Sequence, residues 1–451
     1  MPFDPTVPAK PLNIAIVGTG ISGIAAAWLL NKNHTITVYE QDGRIGGHTN
    51  TVEVSDAGRT IPVDTGFIVY NGANYPNLVA LFDHLNVVTK PSEMSFAASI
   101  DDGTLEYSGS DLAGLFAQKR NLFRPRFWRM LAGIRRFYRE GPEVMQIADG
   151  DDIRLGDYLD ARGYSPAFID DHLLPMAAAI WSTAANDMRD HPASAFVRFC
   201  MNHGLMQVSN RPQWRTVAGG SREYMTRLTE PFAADIRTGA GVRSITRSGG
   251  SVTVEDANGD IGTYDHVVIA AHANQALAML ADPSPDETAL LGAFAYTRNT
   301  AVLHQDPNLM PVRRKVWSSW NYLSHAGQDG TSQVCVTYWM NKLQELESEE
   351  PILVTLNPNR EPDSGKILRT IEYEHPSFDL GAIKAQRHLW DLQGARNTWF
   401  CGSYFGAGFH EDGLQSGLAV AEALGGTPRP WTVDGQSDRI HLPASANGER
   451  A

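Results

Sequence analysis

Gly18, Gly20, Gly23 and Glu40 form the set of residues in this chain whose types and spacing most clearly point to chemistry. Glycines at this spacing let the chain turn tightly, let a pyrophosphate approach bare backbone, and let a helix pack closely on a strand. An acid 22 residues beyond Gly18 stands where a carboxylate accepts a hydrogen bond from a ribose hydroxyl. Arg44 with Gly46 and Gly47 adds a cation and a second bare turn, both of which suit phosphate oxygens. The chemistry implied is the binding of a dinucleotide.

Glycine spacing alone is weak, so the elements around it must carry the argument. "LNIAIVG" (Leu12–Gly18) is a short β-branched apolar run, as in a buried parallel strand. "IAAAWLL" is an alanine-rich helix former, and "HTITVYE" (His34–Glu40) alternates like a second strand. The pattern predicts strand, glycine turn, helix and strand in that order, which is the context the motif requires. The pyrophosphate is then expected at the helix N-terminus, where free N–H groups and the helix dipole favour an anion. No metal-ligand spacing, nucleophile elbow or P-loop is present.

Three separated blocks identify the chain as similar to the flavin amine-oxidase superfamily, which includes monoamine oxidases, phytoene desaturases and protoporphyrinogen oxidases. The first is the opening motif with "GRIGGHTNT" (Gly43–Thr51) and "VDTGFIVYN" (Val63–Asn71); the second is Thr238–Ala271; the third is "NTWFCGSYFGAGFHEDGLQSGLAVAEAL" (Asn397–Leu424). The resemblance implies FAD, held noncovalently. It implies contacts at Ser22, Gln41, His48, Thr49, Thr65, Gly66, Phe67 and Ile68 from the first block and at Val242 from the second. From the third it implies Gly402, Ser403, Glu411, Asp412, Gly413 and Ser416. The fold implied is α/β (α+β overall), with a Rossmann-like FAD domain from residues 1–75, 230–285 and 390–430. A substrate domain of mixed sheet and helices would come from 76–229 and 286–389, and 431–451 reads as a flexible polar tail. Two further glycine pairs, at Gly239/Gly241 and Gly406/Gly408, have Ser244 and Glu411 where a third glycine is needed. No nicotinamide site is therefore expected, and electrons would pass to oxygen or another acceptor.

Catalytic residues are not legible from pattern alone. The amine-oxidase resemblance places Asn299 where those enzymes carry a lysine, which weakens an amine reading; His203 and Tyr338 are the other candidates. Phe405 or Phe409 stands where an aromatic-cage residue would be. "GGHTNTVEV", "FCMNHGL", "RPQWRTVAGGSREY", "VTYWMN" and "GFHEDGLQSGL" further resemble a bacterial flavoprotein subfamily related to the N-terminal flavin domain of plant cyclopropane fatty acid synthases. Its members include desaturases of furan fatty acid formation. This implies a desaturase or oxidase of a methylated or cyclopropane-type acyl chain. The alternatives are an amine oxidase for a small amine and a non-catalytic partner of a lipid methyltransferase.

The 451 residues carry a formal charge of -13, with 42% apolar and 20% charged residues. That composition suits a globular chain and argues against nucleic-acid binding. Three scattered cysteines exclude a disulfide framework and suit a reducing cytoplasm. No signal peptide is read at the start. One stretch runs against the total: Lys119–Glu140 holds eight Lys and Arg residues and one acid. Its Phe123, Phe127, Met130, Leu131, Ile134 and Tyr138 recur at helical spacing. Such a helix either lies on an anionic membrane, giving peripheral contact, or packs on its own domain.

Overall fold

The computed structural model describes residues 10–147, 153–181, 187–207, 211–324 and 335–443. The opening unit is the strand Asn13–Val17, the helix Ile21–Leu30 and the strand Thr35–Tyr39. The strands pair in parallel, Ile14 beside Ile36 and Val17 beside Tyr39. Every residue of the helix is buried, because the closing helix His410–Ala423 packs across it. Glycine sets that approach: a Cβ on Gly417 would lie 2.1 Å from the Ser22 carbonyl oxygen.

Five parallel strands make the dinucleotide sheet, in the order Ile236–Arg237, Thr35–Tyr39, Asn13–Val17, His266–Ile269 and Thr398–Phe400. A mixed seven-stranded sheet is built from the intervening stretches, from Ile367–Ser377 at one edge to Leu105–Ser108 at the other. Within it Ala295–His304 and Ile367–Ser377 run antiparallel, with Asn299 opposite Tyr373. Helices cover one face of this sheet: Phe127 and Met130 of the helix Pro125–Glu140 share a core with Tyr107, Tyr322 and Val354. The architecture is the mixed α/β arrangement expected.

The basic helix follows the second of its two readings, and the tail departs from expectation. Of the apolar stripe, Phe127 and Met130 are fully buried while Phe123 is 86% exposed, and Gly133 presses against Phe168. Periodicity identifies an apolar face but not what it meets. Several of its cations are paired at home, Arg126 with Asp171 and Arg136 and Arg139 with Glu140. The tail also differs over residues 431–443, while 444–451 lie outside the described residues. Trp431 stacks on Trp28 at 5.9 Å, and its indole N–H donates to Asn77. Arg439 pairs at 3.1 Å with the buried Asp412. Single anchoring residues of this kind leave no periodic trace. Among the described residues no helix is long and apolar enough to cross a membrane.

Candidate functional site

A connected cavity of about 1920 Å³ runs from the dinucleotide sheet into the seven-stranded sheet and its helices. Pockets for drug-sized ligands span roughly 300–1,000 Å³, so the space holds a dinucleotide with room left over. Its walls fall into two regions.

The first is the glycine cradle. Gly18 has a φ of +101°, and a Cβ there would meet the Ala270 carbonyl oxygen at 2.8 Å. At Gly23 a Cβ would lie 2.0 Å from the Gly18 oxygen, whereas at Gly20 it would meet nothing within 4 Å. Gly18 and Gly23 therefore serve turn and packing, and Gly20 borders open space where a ligand can come close. The N-terminus of the helix Ile21–Leu30 carries no side-chain cap, leaving its first N–H groups available to an anion. Glu40 is buried on the wall, its Oε2 accepting from the Thr19 N–H and hydroxyl and its Oε1 from the Asp42 N–H. Arg44 donates to the Gly47 carbonyl at 2.8 Å, and the Gly46 N–H donates to the Thr19 hydroxyl, which ties the two glycine turns together.

Most of the expected contacts lie on this wall: Gly18, Gly20, Ser22, Glu40, Gln41, Arg44, Gly46, Gly47 and His48, then Thr65, Gly66, Phe67, Ile68, Val242, Gly402, Ser403 and Gly413. Others stand behind it. Thr49 bonds the Tyr224 hydroxyl, and Ser416 bonds both the N–H and the carbonyl of Gly402. Glu411 turns away and accepts from the Asn77 and Leu78 N–H groups, holding the start of the helix Pro76–His84. Asp412 accepts from the Phe409 N–H and from Arg439. Burial raises both carboxyls above their ordinary range. Cys401 is wholly buried and off the cavity wall, with its thiol pushed up to about 12 by burial, so it is not placed to link to a ligand.

The second region is an apolar chamber. Leu131, Ile134 and Tyr138 of the basic helix line it with Met176, Ile180 and Trp181, so this part of the stripe is cavity wall. Phe409 also lines it, stacked on Phe199 at 4.7 Å, whereas Phe405 is buried away from it. Most wall carboxylates have partners: Glu93 pairs with Lys342, Glu374 with Arg298, and Asp111 caps the short helix Leu112–Leu115. Glu372 accepts from the Thr300 hydroxyl.

Of the catalytic candidates, His203 and Tyr338 reach the wall and Asn299 does not. The His203 Nδ1 lies 2.9 Å from the Phe199 carbonyl. That contact makes Nδ1 the proton-bearing atom and leaves a buried Nε2 lone pair with no partner among the described residues. Burial lowers its pKa to about 4, so the ring is neutral. Tyr338 meets Trp320 edge-on at 4.9 Å. Asn299 is fully buried behind the wall. The Thr300 N–H fixes Asn357, whose amide donates to Asn299, whose amide in turn donates to the His375 Nδ1 at 2.9 Å. His375, neutral with a pKa lowered to about 4 by burial, therefore keeps its proton on Nε2.

Pattern reading missed Tyr373, His375, His172 and His410. Tyr373 stacks on His48 at 4.9 Å, and His375 meets His48 at 5.2 Å. His410 stacks on Phe67 at 3.9 Å and bonds the Tyr224 hydroxyl at 2.6 Å. Strand alternation in "EYEHP" would have put Tyr373 and His375 on one face, but not against His48. The His48 Nε2 is buried without a partner among the described residues, as expected of an atom that meets a ligand.

A family model described as flavin containing amine oxidoreductase matches residues 21–425. The curated protein AofH of Mycobacterium tuberculosis, named for a flavin-containing monoamine oxidase, is 26% identical over 293 residues; the match spans 62% of this chain and 62% of AofH. A putrescine oxidase with bound putrescine superposes with a TM-score of 0.65 at 16% identity, covering 92% of this chain and 99% of the other. A fatty acid isomerase from P. acnes gives 0.64 at 15%, covering 91% and 97%. Cyclohexylamine oxidase from Brevibacterium oxydans gives 0.65 at 14%, covering 92% and 100%. At these identities the structural likenesses establish the fold.

Proposed function

The chain belongs to the flavin containing amine oxidoreductase family, its cofactor is FAD, and from that premise we propose that it oxidises a lipid. The substrate in this reading is a methylated or cyclopropane-type fatty acyl chain, and the product carries a new double bond. The cradle suits FAD: Gly20 and the uncapped helix for the pyrophosphate, Glu40 for the ribose, Val242 for the adenine side, and the orphaned His48 Nε2 as a further donor or acceptor. When bound, FAD supplies a two-electron acceptor for hydride.

The observation that carries the substrate class is the chamber beyond the cradle. Leu131, Ile134, Met176, Ile180 and Trp181 give it an apolar surface that favours an acyl chain over water and excludes solvent from the reacting carbon. The bare Nε2 atoms of His172 and His203 are wall atoms able to take a proton. A second reading, oxidation of a small amine, draws on the same two atoms, because neutral imidazole acceptors can receive an ammonium N–H. The names of AofH and of two of the structural relatives favour it as well.

Anaerobic mixing of the holoenzyme with phospholipids carrying methylated acyl chains, in detergent, should bleach the flavin absorbance. Bleaching by putrescine, benzylamine or cyclohexylamine alone would replace the lipid reading by the amine one. Bleaching by neither class would favour a non-catalytic flavoprotein acting beside a lipid-modifying enzyme such as a methyltransferase.

A further inference from the structure

Five large apolar side chains that stay exposed gather at one corner of the molecule. Leu112, Phe123 and Val312 are 75%, 86% and 74% exposed, and Leu122 and Trp128 are roughly half exposed. Phe116, one turn after Leu112, meets Trp128 at 5.8 Å, and the Trp128 indole N–H donates to the Leu122 carbonyl at 2.9 Å. Val312 arrives from a distant stretch and lies beside Gly103, whose carbonyl accepts from Arg120. Single exposed apolar residues are ordinary, but a contiguous group marks an interaction surface.

The same corner is cationic. Lys119, Arg120, Arg124, Arg129, Arg314 and Lys315 make no ion pair among the described residues, whereas their neighbours Arg126 and Arg313 are paired with Asp171 and Glu106. Three acids border it, Asp101, Asp102 and Asp111, the last capping the helix Leu112–Leu115. In a chain of net charge -13, a face with six cations against three acids is the part an anionic surface can approach. That short helix also joins the corner to the cavity: Leu112 points outward while Leu115 lines the chamber.

We propose that this corner docks the protein on an anionic phospholipid surface, its exposed rings and aliphatic groups entering the interface and its cations meeting lipid phosphates. The cations supply attraction that falls with salt, and the apolar groups supply the hold. Taking the surface to be lipid rests on the acyl reading above. Of the apolar stripe on the basic segment, the docking uses Phe123 alone, which stays outside the cavity.

The test is cosedimentation of the holoenzyme with vesicles of phosphatidylglycerol and phosphatidylcholine, against vesicles of phosphatidylcholine alone, at low and high salt. The protein should pellet with the anionic vesicles at low salt and be released by salt. Lys119→Glu, Arg129→Glu and Lys315→Glu together should weaken partition on the order of a hundredfold, taking roughly fivefold per lost cation. Leu112→Ser with Phe123→Ser should weaken it without changing the salt dependence. Both variants should keep the parent's flavin spectrum. Three results would overturn the proposal: no pelleting of the parent, pelleting untouched by either variant, or retention on immobilised polyglutamate without vesicle binding, which would mean an acidic protein partner. Flavin bleaching by detergent-dispersed acyl lipid separates the two ideas. Bleaching without vesicle binding removes the docking alone, and vesicle binding without bleaching removes the substrate alone.

Discussion

Replacing Glu40 by Gln keeps the shape of the side chain and removes its charge and one acceptor. A carboxylate offers about four lone-pair sites, and three are taken by the Thr19 N–H, the Thr19 hydroxyl and the Asp42 N–H. One site on Oε1 remains for a ribose hydroxyl. A glutamine amide has a single oxygen, so whichever way it turns, its NH2 faces either the Thr19 pair or the Asp42 N–H. At least one donor then loses its acceptor, at about 1–3 kcal/mol where that donor belongs to the buried Thr19 pair. The ribose contact also drops from charge-assisted to neutral, roughly halving its strength. The damage extends further, because the Thr19 hydroxyl also receives the Gly46 N–H at 3.0 Å and so positions the second glycine turn. The orphaned donor lowers the stability of the protein with or without FAD, whereas the weakened ribose contact, a loss of about 0.7–1.5 kcal/mol, lowers FAD affinity roughly 3–12-fold. The assay strips the flavin, titrates it back by fluorescence quenching, and compares melting of the apoprotein. A Gln variant that binds FAD within twofold of the parent, and melts at the same temperature without it, would refute the reasoning.

Arg439→Met should destabilise the protein by about 3–5 kcal/mol, because it leaves the Asp412 carboxylate buried without its cation; chemical denaturation with an unchanged midpoint would show that residues 431–443 are dispensable. Acid should also destabilise. Burial lowers His191 and His304 to about 4, against about 6.5 in the unfolded chain, so the folded state binds fewer protons and loses stability as pH falls between those values. Asp64 opposes this, since burial raises its carboxyl to about 6, and so do the raised carboxyls of Glu411 and Asp412, but the wall histidines His172, His203 and His375 act with the other two. A melting temperature that rises from pH 6.5 to 4.5 would contradict the balance.

The sequence by itself determined the glycine cradle proposed to hold FAD, because its demands are local. Gly18 and Gly23 must be glycine where a Cβ would strike a neighbouring carbonyl, and Glu40 follows from the length of one strand–helix–strand unit. Such constraints act within a few turns of chain and leave a readable spacing. The strand pairing decided what local pattern could not. Asn299 stands where the resemblance suggested a reacting group, yet the pairing of Ala295–His304 with Ile367–Ser377 puts it behind His375 as a holder of that ring. Glu411 and Asp412 sit in a cofactor motif but hold the helix Pro76–His84 and Arg439. The basic helix shows the division most clearly. Its periodicity required an apolar face, but only packing turned that face into a chamber wall and left Phe123 and Trp128 outside. The cationic corner joins residues 112–129 to 312–315, stretches far apart in the chain, and neither alone carries the surface. Burial is a property of neighbours, and neighbours distant in sequence are chosen by the whole fold.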